Sequence, residues 1–206
     1  SKLEMIMSHL ACSDEPKNKK NIKQLDNFHQ IAKYFPYTKK SLSNSAGIQL
    51  GRKYDFDIVR PGISLYGGHS TLNEKIKYKN VVTLKAKIIQ TRNIERFDTI
   101  GYGGTFKAIG PMIIGTIPIG YADGFFRKFS GITNFFIGQR KVQMVGRVSM
   151  DLVTLDLTSF KNIDKIKYVE VINEKNNINK LSQIVSTIPY EILTSLGNRY
   201  QRRYIA

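Results

Sequence analysis

One cysteine, Cys12, is all the chain has for covalent crosslinking. It excludes an internal disulfide and fits a reducing cytoplasm. Cys12 lies in an apolar, strand-like run and reads as a buried, inert thiol. Long hydrophobic runs are missing too. No apolar stretch approaches the roughly 18 residues of a transmembrane span. Yet 41% of the 206 residues are hydrophobic, enough for a packed core in one large or two small domains. The start, Ser1-Lys2-Leu3-Glu4-Met5-Ile6-Met7, has an acidic residue and no cleavage-site pattern, so no signal peptide is expected. The first residue is not methionine, and the expectation is a chain processed or cut from something longer. A cytoplasmic protein with no membrane partner follows. Internal repeats and low-complexity segments are also absent.

Negative charge is scarce: 16 acidic residues face 32 lysines and arginines, for a net charge of +16. Such a surplus raises nucleic acid or an anionic surface as partners. However, lysine is spread along the whole chain, and Lys, Asn and Ile are abundant together, the bias of an AT-rich genome. No RNA-binding aromatic motif, zinc-finger spacing or helix-turn-helix occurs. Neither a nucleic-acid partner nor a metal site is expected.

Hydrophobic periodicity divides the chain. Residues 3–11 form an apolar strand-like run, ending at His9-Leu10-Ala11-Cys12-Ser13-Asp14-Glu15-Pro16. Ile22, Leu25, Phe28, Ala32 and Phe35 then recur at three- and four-residue steps, which predicts a helix closed by Pro36. Residues 41–46 form a second short strand with its loop. Ile48 and Leu50 lead into a short helical or irregular piece, and residues 57–65 form a third strand. This is the grammar of parallel βα units, too few to close a barrel. A boundary falls around residues 70–80. Beyond it, β-prone runs at 81–90, 112–119, 134–137, 141–145, 152–157 and 167–172 are separated by Gly, Asn and Asp. Gly138-Gln139 between two of them predicts a hairpin. Antiparallel strands are expected there, with helices over 181–188 and 190–196 packed on the sheet. The basic, aromatic tail is Arg199-Tyr200-Gln201-Arg202-Arg203-Tyr204.

The stretches that organise the chain are Ser43-Asn44-Ser45-Ala46-Gly47 and Val59-Arg60-Pro61-Gly62-Ile63-Ser64-Leu65-Tyr66-Gly67. In each, an apolar run ends in small residues that expose backbone N–H groups. With a serine hydroxyl, such groups can hold a phosphate. Arg60 adds a fixed cation with forked donors. Neighbouring strand ends with these groups fit the mouth of an α/β barrel that binds a phosphorylated cofactor, although turn chemistry alone also produces such loops.

The wording of these segments resembles the alanine racemases, which are pyridoxal-phosphate enzymes. Gly101-Tyr102-Gly103-Gly104-Thr105-Phe106, Ile119-Gly120-Tyr121-Ala122-Asp123-Gly124 and Gly146-Arg147-Val148-Ser149-Met150-Asp151 extend the resemblance, in order, over nearly the whole chain. It implies an α/β plus β fold. Residues 1–75 would be the C-terminal portion of a (β/α)8 barrel that binds the cofactor, and residues 76–206 a mostly antiparallel β domain. The implied cofactor is pyridoxal 5′-phosphate. Ser45, Gly62 and Ile63 match its phosphate ligands, one hydroxyl and two backbone amides, with Gly62 allowing close approach. Arg60 matches an arginine that hydrogen-bonds the pyridine nitrogen. A guanidinium, with an ordinary pKa of about 12.5 or above, keeps its proton, so the ring nitrogen stays unprotonated and the ring is a weaker electron sink. Tyr102 matches the base for one alanine enantiomer, reaching into a partner subunit's site. A phenol of pKa about 10 needs help to act as a base. The family supplies it through a histidine that contacts the arginine, here His9 and Arg60. Met150 would hold the substrate carboxylate through its backbone, Asp151 would order that loop, and Tyr121 would line the substrate entrance. His29 and His69 match no motif.

Lys85, in Leu84-Lys85-Ala86-Lys87, imitates a lysine-alanine cofactor motif but is followed by Ile88-Ile89-Gln90, and is not assigned a Schiff base. The family's Schiff-base lysine, a substrate-touching arginine and about five barrel strands belong to an N-terminal segment that this chain does not match. Asn198 stands where many members have tyrosine, and Ser149 where some have cysteine. The implied function is bacterial interconversion of L- and D-alanine for peptidoglycan, with alanine as substrate and a homodimer or an N-terminal half as partner. The alternatives are an inactive remnant, a half that works only with a separate N-terminal chain, and a racemase for serine or a basic amino acid.

Overall fold

A computed structural model describes residues 3–71 and 78–205. The chain forms two compact units, Ser1–Val81 and Val82–Ala206. Among the described residues no helix is long and apolar enough to cross a membrane.

The first unit runs β1 (Met5–Met7), α1 (Lys19–Ala32), β2 (Lys39–Ser41) and α2 (Ser45–Gln49). β1 and β2 are parallel, with Met5 opposite Lys39 and Met7 opposite Ser41. Asn18 caps α1 by accepting from the Lys20 N–H. The buried stripe of α1 is Asn21, Leu25, Phe28 and Ala32. Ile22, expected on that face, is 43% exposed, and the helix ends before Phe35. Asn21 takes the inward place because its Nδ2 donates to the Glu15 carbonyl at 3.0 Å, which fixes the rotation of the first turn. Leu25 and Phe28 pack with Leu10, Leu42 and Tyr54, and Phe56 meets Phe28 edge-on at 4.9 Å.

Three sequence expectations are corrected here. The first strand is only three residues long, so His9 lies beyond its end. Cys12 lies in a bend, half-buried rather than sealed in a strand. The third strand over 57–65 does not form. A single parallel bridge, Asn44 to Arg60, survives of it. Pro61 has no N–H to continue the ladder, and the chain turns at once into a 3-10 turn over Ile63–Tyr66.

The second unit contains β3 (Leu84–Lys87), β4 (Gln90–Ile94), β5 (Thr99–Ile100), β6 (Phe106–Lys107), β7 (Met112–Ile117), β8 (Asn134–Ile137), β9 (Arg140–Val145), β10 (Val153–Asp156), β11 (Tyr168–Ile172), α3 (Ile178–Val185) and α4 (Pro189–Thr194). Seven strands form one antiparallel sheet in the order β3-β11-β8-β9-β10-β7-β4, and β5 pairs with β6. The continuous run expected over 81–90 is split. The Ile88 N–H bonds the Lys167 carbonyl and the Ile89 N–H bonds that of Thr116, so the chain steps directly from one edge of the sheet to the other. The sheet is curled enough for two residues to carry the chain from one edge strand to the other. The predicted hairpin joins β8 and β9 through Gly138-Gln139. Inward-facing Ile114, Ile117, Phe135, Val142, Met144, Leu155 and Val169 fill the interior. Ile178, Leu181 and Val185 form the buried stripe of α3, and Pro189 opens α4.

Lys85 and Glu170 face each other across β3 and β11, with Nζ 3.3 Å from Oε1. Glu170 is held below the usual glutamate range by the Asn173 side-chain bond first and by Lys85 second, against the opposing effect of burial. A depressed carboxyl stabilises the fold above its unfolded pKa, and that contribution is lost as pH falls through the folded one. The urea midpoint of the chain should therefore drop between neutral pH and below about pH 4. The drop should be smaller in Glu170→Gln, measured by urea unfolding at each pH.

Candidate functional site

In the first unit, the site is built where α2 begins. Asn44 caps the helix, its Oδ1 accepting from the Gly47 N–H at 2.8 Å and from the Ser13 hydroxyl at 3.0 Å. Ser45 follows, 2% exposed. Its Oγ accepts from the Gly62 N–H at 2.8 Å and from the Ser64 N–H at 3.4 Å. With both lone pairs engaged, the hydroxyl proton is what Ser45 has left to donate. Two further donors sit in the same turn. The Ile63 N–H meets no acceptor among the described residues, and Ser64 Oγ is buried without a partner among them. The space above Gly62 is open. A Cβ placed there would find Ser45 Oγ, 4.0 Å away, as its nearest neighbour. The Ser45 hydroxyl and the Ile63 N–H beside that opening are the kind of donors an anion cradle needs. The expectation for Ser45, Gly62 and Ile63 rested on motif order; here the three are neighbours.

Arg60 is half-buried. Its Nη1 donates to Ser41 Oγ at 2.5 Å, and its Nη2 to the Ser8 carbonyl at 2.6 Å and the Leu42 carbonyl at 3.5 Å. No carboxylate neutralises it among the described residues. Its charge is held in place by neutral oxygens and left to act on whatever enters. His9 is exposed, with Nε2 3.1 Å from Asn44 Nδ2. The structure brings His9 together with Asn44, and not with Arg60 as the resemblance implies.

In the second unit, Tyr102 opens a 3-10 turn, Tyr102–Gly104, after Gly101 at φ +76°. The ring is 70% exposed, and its hydroxyl bonds nothing among the described residues. Tyr121 and Met150 sit on two loops zipped together. The Tyr121 N–H donates to the Ser149 carbonyl at 3.1 Å, and the Ala122 N–H to the Met150 carbonyl at 3.0 Å. Gly120 is required at this seam, because a Cβ there would lie 2.2 Å from the Met150 oxygen. Both side chains are exposed, and the Met150 N–H has no acceptor among the described residues. Asp151 accepts from Arg199 Nη1 at 2.7 Å.

Asp123 is the residue that motif reading passed over. It is 4% exposed, accepts from the Gly120 N–H at 2.9 Å and pairs with Arg199 Nε at 2.7 Å. Arg199 thus bridges Asp123 and Asp151, tying the Tyr121 loop to the Met150 loop. The Tyr200 hydroxyl donates to the Asp123 carbonyl at 3.0 Å, and burial followed by the Asp123 charge pushes its pKa up. A carboxylate inside the apolar Gly120–Gly124 segment, in a chain short of acids, was the signal available for Asp123.

Comparisons with known proteins point the same way. Residues 1–70 match the family described as alanine racemase, N-terminal domain, and residues 81–204 match alanine racemase, C-terminal domain. The chain is 47% identical to the alanine racemase of Rickettsia canadensis (strain McKiel), over 98% of this chain and 56% of that protein. It is 41% identical to that of Brucella canis, over 98% and 55%. Among solved structures, it is similar to the alanine racemase from Bartonella henselae with covalently bound pyridoxal phosphate. That match has a TM-score of 0.85 at 38% identity and covers 100% of this chain and 57% of the other. The biosynthetic alanine racemase from Pseudomonas aeruginosa gives 0.81 at 30%, over 98% and 57%. The chain spans about half the length of the curated relatives it matches.

Arg199→Gln leaves Asp123 buried without its cation and should lower the urea midpoint of the chain, with Arg199→Lys recovering only part of it. Gly120→Ala should destabilise by about 1–3 kcal/mol or more through the clash at the seam, measured by the same unfolding curves.

Proposed function

The chain belongs to the alanine racemase family, and from that premise we propose that it carries the cofactor-phosphate cradle and the substrate-facing loops of an enzyme that interconverts L- and D-alanine. The observation that carries the reading is the Ser45 hydroxyl and the unpaired Ile63 amide beside the open space at Gly62, next to an arginine that no carboxylate neutralises among the described residues. These donors fit the phosphate of pyridoxal 5′-phosphate in charge and in hydrogen-bond sense. When bound, that group supplies an electron-accepting ring that stabilises the charge left on Cα as its proton departs.

The chain's own residues do the rest. Ser45 donates its hydroxyl proton and Ile63 its amide proton to the phosphate. Arg60 donates to the ring nitrogen and, never giving up its proton, keeps that nitrogen from gaining one. The Met150 N–H receives the substrate carboxylate, and Tyr121 stands at the entrance. Tyr102, exposed and without a partner for its hydroxyl in its own unit, serves as the proton carrier for one face of Cα. Such a side chain suits work in the site of a second copy, and a homodimer is the proposed assembly. Lys85 is engaged by Glu170 and is not the Schiff-base lysine. That lysine belongs to the N-terminal segment of the family, which the active assembly must include. Domain limits of 1–75 and 76–206 and a bacterial cytoplasmic setting complete the proposal.

The test is to mix the chain with the lysine-bearing N-terminal segment of a family member and pyridoxal 5′-phosphate, and to assay D-alanine formed from L-alanine. Activity should appear on mixing and fall roughly 10²–10⁴-fold with Tyr102→Phe. L-serine and L-lysine should turn over more slowly. No activity at any ratio would overturn the reading in favour of an inactive remnant.

A further inference from the structure

Asn44 has a second task besides capping α2. Its Oδ1 has both lone pairs engaged, by the Gly47 N–H at 2.8 Å and the Ser13 hydroxyl at 3.0 Å. Turning the amide over would set its NH2 against the Gly47 N–H, donor against donor, and leave the helix cap unmade. The amide nitrogen is therefore what faces His9 Nε2 at 3.1 Å. Asn44 Nδ2 carries only protons, so Nε2 must present its lone pair. A neutral imidazole has one proton, and with Nε2 bare it sits on Nδ1.

We propose that Asn44 is a positioning residue that fixes His9 as the Nδ1–H tautomer and takes the ring's only lone pair. His9 then offers its surroundings a donor and no acceptor. This accounts for the lack of a hydrogen bond between His9 and Arg60 among the described residues. A guanidinium has donors only, so it gains nothing from an N–H. It turns instead to three oxygens, Ser41 Oγ and the Ser8 and Leu42 carbonyls. Any group that meets His9 at Nδ1 must bring an acceptor, such as a phenol or phenolate oxygen. The bearing on catalysis rests on the racemase reading. The tautomer itself does not, and it is measurable on this chain without cofactor.

Long-range proton–nitrogen correlation spectra of the chain labelled with ring-¹⁵N histidine, at a pH above the usual histidine range, show which nitrogen of each ring is bare. The chain has three histidines, and His9→Gln identifies the His9 signals. The expected result is a bare Nε2 and a protonated Nδ1. Asn44→Asp keeps an oxygen for the Gly47 N–H and turns a second oxygen to the ring, so the proton should move to Nε2. A protonated Nε2 in the unmodified chain would overturn the proposal, as would a pattern unchanged in Asn44→Asp. Should that variant fail to fold, the spectrum of the unmodified chain decides alone.

Discussion

The hydrogen bond from the Gly62 N–H to Ser45 Oγ, 2.8 Å long, is the contact on which the candidate site depends. It joins two loops 17 residues apart and, with the Ser64 N–H, engages both lone pairs of Ser45, so that the hydroxyl has its proton left to donate. The Asn44–Arg60 bridge lies beside it and sets the register between the loops. Pro61 prevents that bridge from growing into a strand, and the chain turns instead, gathering Gly62, Ile63 and Ser64 around Ser45. An uninterrupted strand would have sent those amides into a ladder. Broken pairing is what leaves the Ile63 N–H unspent among the described residues and turns those of Gly62 and Ser64 onto Ser45. An unpaired buried hydroxyl costs roughly 1–3 kcal/mol, and Ser64 Oγ is buried without a partner among the described residues.

The second unit solves a different problem. The loops that carry Tyr121 and Met150 have little regular structure of their own, and both side chains are exposed. Backbone bonds zip the loops together, and the Asp123–Arg199–Asp151 cluster locks the seam. The buried carboxylate is tolerated because a backbone N–H and a guanidinium both serve it. The seven-stranded sheet of the same unit provides the base from which these loops leave.

Much of this was legible in the sequence. The strand at 134–137 and the Gly138-Gln139 hairpin followed from β-branched and aromatic runs bounded by turn residues. The loops proposed to hold a phosphate stood out because small residues and a serine followed apolar runs. What failed depended on long-range partners. Ile22 satisfied the helical period, but Asn21 found the Glu15 carbonyl and turned the helix. Residues 57–65 had the composition of a strand, but Pro61 left the ladder without a donor. Asp123 and Arg199 are 76 residues apart, so no local pattern announces their pairing. Asn44 was read as part of a motif, while its hold on His9 emerges only when Ser13 and Gly47 are in place.

The most direct test of the cradle is to titrate the chain with pyridoxal 5′-phosphate and with pyridoxal, followed by calorimetry, for the unmodified protein and for Ser45→Ala and Gly62→Ala. The account requires the phosphorylated form to bind roughly tenfold or more tightly, as about 1.5–3 kcal/mol of charge-assisted bonding implies. It also requires that preference to shrink when the hydroxyl is removed or the open space is filled. Equal binding of the two compounds, or a preference untouched by either substitution, would contradict it.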